Sequence, residues 1–219
     1  MRSAKIRTFS ANEKLVEERR RKIIHCARLL FVKKGYDRTS MRDIGKACGM
    51  TSAGMYHYLG QKDDILSIVV QKEYSMIYAF IRETEEDTEK YSPVEALTRA
   101  IERYYRLGDE HREDASFISN NHTLFKPGLR LQILETLTNV IAVFEKILIK
   151  GCKTADFKID NCWLMAFNIL GSGQLWFLRH EALVRKCSID TYIKFQTDLV
   201  LNQICTPKAR AEVETLSSR

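Results

Sequence analysis

The stretch Arg42-Asp43-Ile44-Gly45-Lys46-Ala47-Cys48-Gly49-Met50-Thr51-Ser52-Ala53-Gly54-Met55-Tyr56-His57-Tyr58-Leu59 decides the fold, because it reads as two short helices joined by one tight turn. Just upstream, Ser40-Met41-Arg42-Asp43 is a capping-box pattern, in which the serine and the residue three places on serve each other's backbone N–H. A helix is therefore expected from about residue 41, burying Ile44 and Ala47. Gly49 stops it and can take the positive φ of a sharp turn. Thr51 then caps a third helix of about two turns that ends near Leu59, and Ile44, Ala47, Met50 and Met55 are placed to close a small wedge-shaped core. The first turn of this third helix is built from small or polar residues, Thr51, Ser52, Ala53 and Gly54. They would let its N-terminus approach base edges and phosphates closely, with a helix dipole that favours the phosphate charge. The two lengths and the central glycine are those of a helix-turn-helix.

Outward from the motif, helical punctuation continues in both directions. The preceding helix is expected over about 12–34, with Val16, Ile23, Ala27, Leu30 and Phe31 on one face and Gly35 just past its end. A long fourth helix starts near 62, after Gly60-Gln61, and runs into the 80s. Ser92-Pro93-Val94-Glu95 combines an N-cap, a proline at N1 and an acid at N3, and opens a helix over about 93–107. Further helices are expected near 111–120, from Pro127 to Gly151, from an Asp160 cap to about 180, and from Ser188-Ile189-Asp190 to about 205. Only three prolines and ten glycines interrupt the chain, and it has no alternating, strand-like run. The reading is all-α with about nine helices: a three-helix head over 12–70 with the motif at about 40–59, a helical body over 71–205, and a flexible polar tail over 206–219.

A chain of 219 residues with 45% hydrophobic content buries one good core, or one core and a small satellite. No apolar run approaches the ~20 residues of a membrane span, and the basic start has no apolar run behind it, so neither a span nor a signal peptide is expected. The six cysteines at 26, 48, 152, 162, 187 and 205 lie far apart with no C-x-x-C pair. That pattern argues against a disulfide scaffold or a zinc site and fits free, buried or half-buried thiols in a reducing cytoplasm. The net charge of +7 is unevenly placed: residues 1–70 hold 15 Lys+Arg against 7 Asp+Glu, whereas residues 71–219 hold 20 against 21. An anionic partner, either nucleic acid or a membrane surface, should therefore meet the N-terminal third.

The motif and its flanks resemble the signature of the tetracycline-repressor (TetR) family, roughly I-A-x-x-A-G-V-S-x-G-x-x-Y-x-Y-F followed by x-x-K-x-x-L. Ala27, Leu30-Phe31 and Gly35-Tyr36 agree before it, and Lys62-Asp63-Asp64-Ile65-Leu66 agree after it. The resemblance covers residues 17–70 closely and the rest only in architecture. Gly45 stands where alanine is usual, which should loosen the second helix by about 1 kcal/mol. Ala53, Leu59 and Gln61 also depart from the pattern, and none of these changes removes a DNA-facing charge.

The resemblance implies roles for individual residues. Ser40 and Arg42 would touch phosphate, with Arg42 within reach of a guanine, and Thr51, Ser52, Ala53 and Gly54 would face the bases. Tyr56 and His57 would hold the DNA backbone, and Lys62 would hold a phosphate. Core packing is the alternative for Tyr56 and Tyr58, and plain solvation for Lys62. Lys5, Arg7 and the run Arg19-Arg20-Arg21-Lys22 would add nonspecific phosphate contacts, if they are more than a wet face.

The resemblance further implies a homodimer on a palindromic operator in double-stranded DNA, paired through the last two long helices. The interface residues would be Trp163, Phe167, Leu170 and Gly171 with Tyr192, Ile193, Gln196, Leu199 and Val200. Gly171 and Gly173 fit either a dimer contact or a tight helix crossing within the chain. A small-molecule effector would sit in the body, against Tyr78, Tyr104, Phe117, Phe125, Phe144 and Trp176, although such aromatics equally suit a core. The segment Gln174 to His180 resembles a region of members proposed to sense acyl-CoA or other long apolar ligands. No cofactor, metal or catalytic residue is implied. Two rivals stand beside this regulator: a family-shaped adaptor that binds protein without DNA, and a helical enzyme with a scattered site. The absence of G-x-S-x-G, H-E-x-x-H and glycine-rich phosphate loops speaks against the second rival, and the basic head against the first.

Overall fold

The structure, a computed structural model, describes residues 13–210. The start of the first helix at residue 12, Lys5, Arg7 and residues 211–219 lie outside the described residues. Among the described residues there are ten α-helices and one short 3-10 turn, with a single isolated bridge, Phe157 to Cys205, and no strand. The chain divides into two compact units. One comprises residues up to Lys72 together with Asn120–Leu129, and the other Glu73–Ser119 with the residues from Arg130 onward.

In the first unit, α1 (Glu13–Lys34), α2 (Met41–Cys48), α3 (Ser52–Tyr56) and the start of α4 (Lys62–Lys90) enclose a core of Val16, Ile23, Ala27, Phe31, Ile44, Cys48, Met55, Leu59 and Ile65. The α1 face follows the expected helical period, with Leu30 only half-buried at its edge. The buried face of α2 differs from the expected one: Ile44, Gly45 and Cys48 point inward, and Ala47 is exposed. At about 100° per residue, Ile44, Cys48 and Gly45 span an arc of roughly 100°, and Ala47 lies about 60° outside it on the Ile44 side. Gly45 also proves to be more than a loosening substitution. A methyl group there would come within 2.7 Å of the Met50 carbonyl oxygen, so the turn packs directly on the bare α-carbon.

The second unit holds the rest of α4, then α5 (Pro93–Glu110), α6 (Arg112–Asn120), α7 (Pro127–Lys153) from Arg130 onward, α8 (Cys162–Leu178), the short α9 (His180–Leu183) and α10 (Ile189–Ile204). The caps read from sequence are in place at Ser92 and Ser188, whereas α8 is capped by Asn161, whose side chain accepts from Leu164 N–H at 2.9 Å, and not by Asp160. Aromatic rings fill the centre. Phe80, Tyr104 and Phe144 meet at 5.4–5.9 Å between centroids, and Trp176 lies 5.1 Å from Tyr192. Asp87 accepts from Arg103 at 2.8 Å and Arg99 at 3.1 Å; burial opposes its charge, but these guanidiniums outweigh it and hold the carboxyl below its ordinary value.

Residues 206–210, expected to begin a flexible tail, are packed. Thr206 N–H donates to the Asp156 carbonyl at 2.9 Å, Lys208 pairs with the Asp156 carboxylate at 2.8 Å, and Ala209 is buried. None of the described helices is long and apolar enough to cross a membrane.

Candidate nucleic-acid interface

The turn between α2 and α3 is fixed from both sides. Ser40 caps α2 by accepting from Asp43 N–H at 3.1 Å, and its own N–H and hydroxyl donate to the Asp43 carboxylate at 2.9 and 2.6 Å. Those two donors and then Lys34 hold the Asp43 carboxyl down at about 2. Gly49 sits at φ +70° and closes α2 by donating to the Lys46 carbonyl. Thr51 caps α3, accepting from Gly54 N–H at 3.0 Å. Met55 points inward and is fully buried, while Ala53 and Tyr56 on the same helix are exposed.

Several of the residues that the resemblance implies are exposed here. Thr51, Ala53 and His57 are exposed, Gly54 is half-buried, and Tyr56 stands 55% exposed, which removes core packing as the account of Tyr56. Arg42 is exposed on α2 beside them. Ser52 is the first residue of α3. Tyr58 is half-buried, and its carbonyl accepts from Arg20 Nε at 3.2 Å, which ties α1 to the end of the motif.

Two expected phosphate contacts are already engaged inside the head. The Ser40 hydroxyl is spent on its cap. The Lys62 ammonium donates to the carbonyls of Tyr36 at 2.7 Å and Thr39 at 3.0 Å and lies 3.9 Å above the Tyr36 ring centre. Lys62 is half-buried and two of its three ammonium donors are engaged within the head, where it pins the loop that precedes α2. Next to it, Asp63 accepts from the Tyr36 hydroxyl and pairs with Lys126 at 2.5 Å. We expect Lys62→Met to destabilise the head by about 1–2 kcal/mol, since two half-buried carbonyls lose a charged donor. The salt dependence of DNA binding, read by fluorescence anisotropy, should keep its slope, whereas loss of a phosphate contact would flatten it by about one unit.

The residues expected to form an effector pocket are divided between the two units. Tyr104, Phe144 and Trp176 are buried in the aromatic centre of the second unit, Phe117 is buried in α6, Tyr78 is 53% exposed, and Phe125 belongs to the first unit. A cavity of about 360 Å³ lies between α4 and α5, with Met76, Ala79, Phe80 and Leu107 as apolar lining and Glu83, Arg103, Arg106, Glu110 and His111 as polar lining. None of the six expected residues lines it; the spacing of aromatics could not separate wall from core.

The expected pairing residues divide in two. Leu170, Tyr192, Ile193 and Val200 are buried in the chain's own core, and Gly171 and Gln196 are intermediate. Trp163, Phe167 and Leu199 are exposed, as are Leu164, Leu175 and Phe195, which the sequence reading missed. The signal was the four-residue spacing 163–167–171–175, a single stripe along α8. Gly173 answers to the crossing reading, since a methyl there would come within 2.7 Å of the Tyr105 ring, while Gly171 faces open space. Among the described residues, no group of three or more His, Cys, Asp or Glu could hold a metal ion.

Comparison with known proteins agrees with this geometry. Residues 23–68 match the pattern described as bacterial regulatory proteins, tetR family. The HTH-type transcriptional regulator HbdR of Aromatoleum sp. (strain CIB) is 27% identical over 207 residues, covering 94% of this chain and 89% of that one. A TetR-family regulatory protein from Rhodococcus RHA1 superposes with a TM-score of 0.73 at 19% identity, over 85% of this chain and 97% of that one. FadR of Bacillus subtilis, solved in complex with stearoyl-CoA, superposes with a TM-score of 0.59 at 20% identity, over 83% and 97%.

Proposed function

We propose that the chain, whose residues 23–68 match the tetR-family pattern of bacterial regulatory proteins, is a ligand-responsive transcription regulator of that family. It acts as a repressor, binds a palindromic operator in double-stranded DNA as a homodimer, and is released by a small apolar effector. The observation that carries this reading is the outer surface of α3. Tyr56 stands 55% exposed, with Thr51, Ala53 and His57 exposed around it, on a helix whose inward side is fully occupied by Met55. Side chains with no packing task, in a segment of the chain where basic residues outnumber acidic ones by about two to one, suit a groove lined with phosphates.

The protein acts by binding and not by catalysis. An effector in the body biases one of two conformations of the dimer, and by linkage operator DNA weakens effector binding by the same factor. The α4 helix is the element to watch. Its first turn pins the loop before α2 through Lys62, and its residues Met76, Ala79, Phe80 and Glu83 line the cavity. Acyl-CoA-like molecules are the class to test first, given the FadR complex with stearoyl-CoA and the apolar part of the cavity lining.

The test is titration of the purified protein into labelled duplexes carrying the inverted repeats beside its own gene. Tight binding should fall by about a thousandfold between roughly 50 and 200 mM salt. An adaptor or an enzyme would show no such binding. Within that assay, Tyr56→Ala and Arg42→Ala are each expected to weaken operator binding by about 1–3 kcal/mol. Both side chains are exposed, so the unfolding midpoint should stay where it is. Wild-type affinity in both variants would mean that α3 is not the reading helix.

A further inference from the structure

The last turn of α7 and the first residue of α8 bring two thiols together: Cys152 Sγ lies 3.8 Å from Cys162 Sγ, and both residues are half-buried and free. We propose that Cys152 and Cys162 form a redox-modifiable pair that closes to an intramolecular disulfide on exposure to a hydroperoxide. A disulfide needs the sulfurs ~2.05 Å apart, so less than 2 Å of approach separates the reduced pair from a bond. The loop between them is held in place. Lys158 N–H donates to the Ile204 carbonyl at 2.8 Å, and Thr206 N–H donates to the Asp156 carbonyl at 2.9 Å. The two sulfurs are thus kept in van der Waals contact by structure on either side of them, which makes the second thiol the nearest reductant for an oxidised first one.

The chemistry balances with hydrogen peroxide as the oxidant. One thiolate attacks a peroxide oxygen, the O–O bond breaks, a sulfenic acid forms, and the hydroxide that leaves takes up the proton the thiol had released to become water. The second thiolate attacks the sulfenic sulfur, the S–S bond forms, and the hydroxide released takes up a proton to leave as water. Two thiols have lost two electrons and two protons, and one peroxide has become two waters. Burial, and then the neighbouring Cys152 thiol, push Cys162 up to about 11, so the pair answers sustained exposure more than a brief pulse. Cys48 provides the internal comparison. It also has a cysteine neighbour, Cys26, but it is 1% exposed and its thiol donates to the Ile44 carbonyl at 2.7 Å, so peroxide should reach it last.

The experiment treats the full chain with graded hydrogen peroxide, blocks remaining thiols with N-ethylmaleimide and maps the tryptic peptides without reduction. Lys153 and Lys158 lie between the two cysteines, so trypsin separates them unless a disulfide joins the fragments. The expected result is one linked pair, the peptide ending at Lys153 joined to the one beginning at Ile159, lighter than the two free peptides by two hydrogens. It should form while Cys48 still takes up the blocking reagent, and dithiothreitol should reverse it. Cys152→Ser should abolish the link and leave Cys162 oxidised singly. The proposal is overturned if both cysteines remain fully blockable at doses that oxidise Cys48. It is equally overturned if they appear only as sulfinic or sulfonic acids, or if the link forms between chains.

Discussion

Trp176→Ala is expected to lower the stability of the second unit by about 4 kcal/mol, the scale of removing a buried aromatic from a packed core. The side chain is 1% exposed, with its ring 5.1 Å from Tyr192 and 5.4 Å from His180. Its indole N–H donates to the Asp109 carboxylate at 2.8 Å, so truncation also leaves that carboxylate without its donor. Asp109 is half-buried and can recover water, which keeps this second cost to about 1 kcal/mol. Trp176→Phe separates the two contributions. It keeps most of the ring, loses the N–H, and should cost about 1–2 kcal/mol. Denaturant unfolding followed by far-UV circular dichroism measures both. A loss below about 1 kcal/mol for the alanine variant would mean that Trp176 is the wall of an open site and not part of the core.

That contrast marks where sequence reading stops. Helix existence was legible because it depends on neighbours in the chain. Ser40 with Asp43, Thr51, Ser92 with Pro93, and Ser188 are local patterns, and each caps the helix it was expected to cap. The exposure of Ala53 and Tyr56 was legible for the same reason: Met55 must turn inward, and on so short a helix these two residues turn away from it. What was not legible depends on partners far away in sequence. Lys62 matches the family pattern, and its ammonium also bonds carbonyls 23 and 26 residues upstream, which no spacing rule could foresee. Tyr104, Phe144 and Trp176 have the same composition whether they line a cavity or fill a centre, and only their mutual contacts decide. On α8 the apolar residues run all the way round, so the sequence identified the helix but not its two faces: Ala166, Ile169, Leu170, Gly173 and Trp176 inward, Trp163, Phe167 and Leu175 outward.

The outward face of α8 carries the second large effect. On the function proposed above, Trp163→Glu combined with Phe167→Glu should convert the homodimer to monomers and weaken operator binding by about a hundredfold or more, because the two half-sites then bind without the gain of linkage. Both rings are solvent-facing, 44% and 47% exposed, and stack on each other at 5.4 Å, so their loss should leave the fold intact. Gly171 continues the same stripe with open space around it, and Leu175 ends it; a bare α-carbon in the middle of an apolar stripe lets a second helix approach closely. On α10, Phe195 and Leu199, 62% and 54% exposed and four residues apart, form a second apolar stripe of the same kind. A stable pairing surface of about 800 Å² per partner needs a continuous patch of this sort. Another exposed apolar pair in the unit, Leu131 and Leu134 on α7, is interleaved with Arg130, Gln132 and Glu135, so Leu134→Glu serves as the control and should change neither mass nor affinity. Sedimentation velocity and operator titration on the same samples read both quantities. Should the double variant sediment as wild type while Leu134→Glu dissociates, the pairing face lies on α7, and α8 needs another reason to hold two aromatic rings in water.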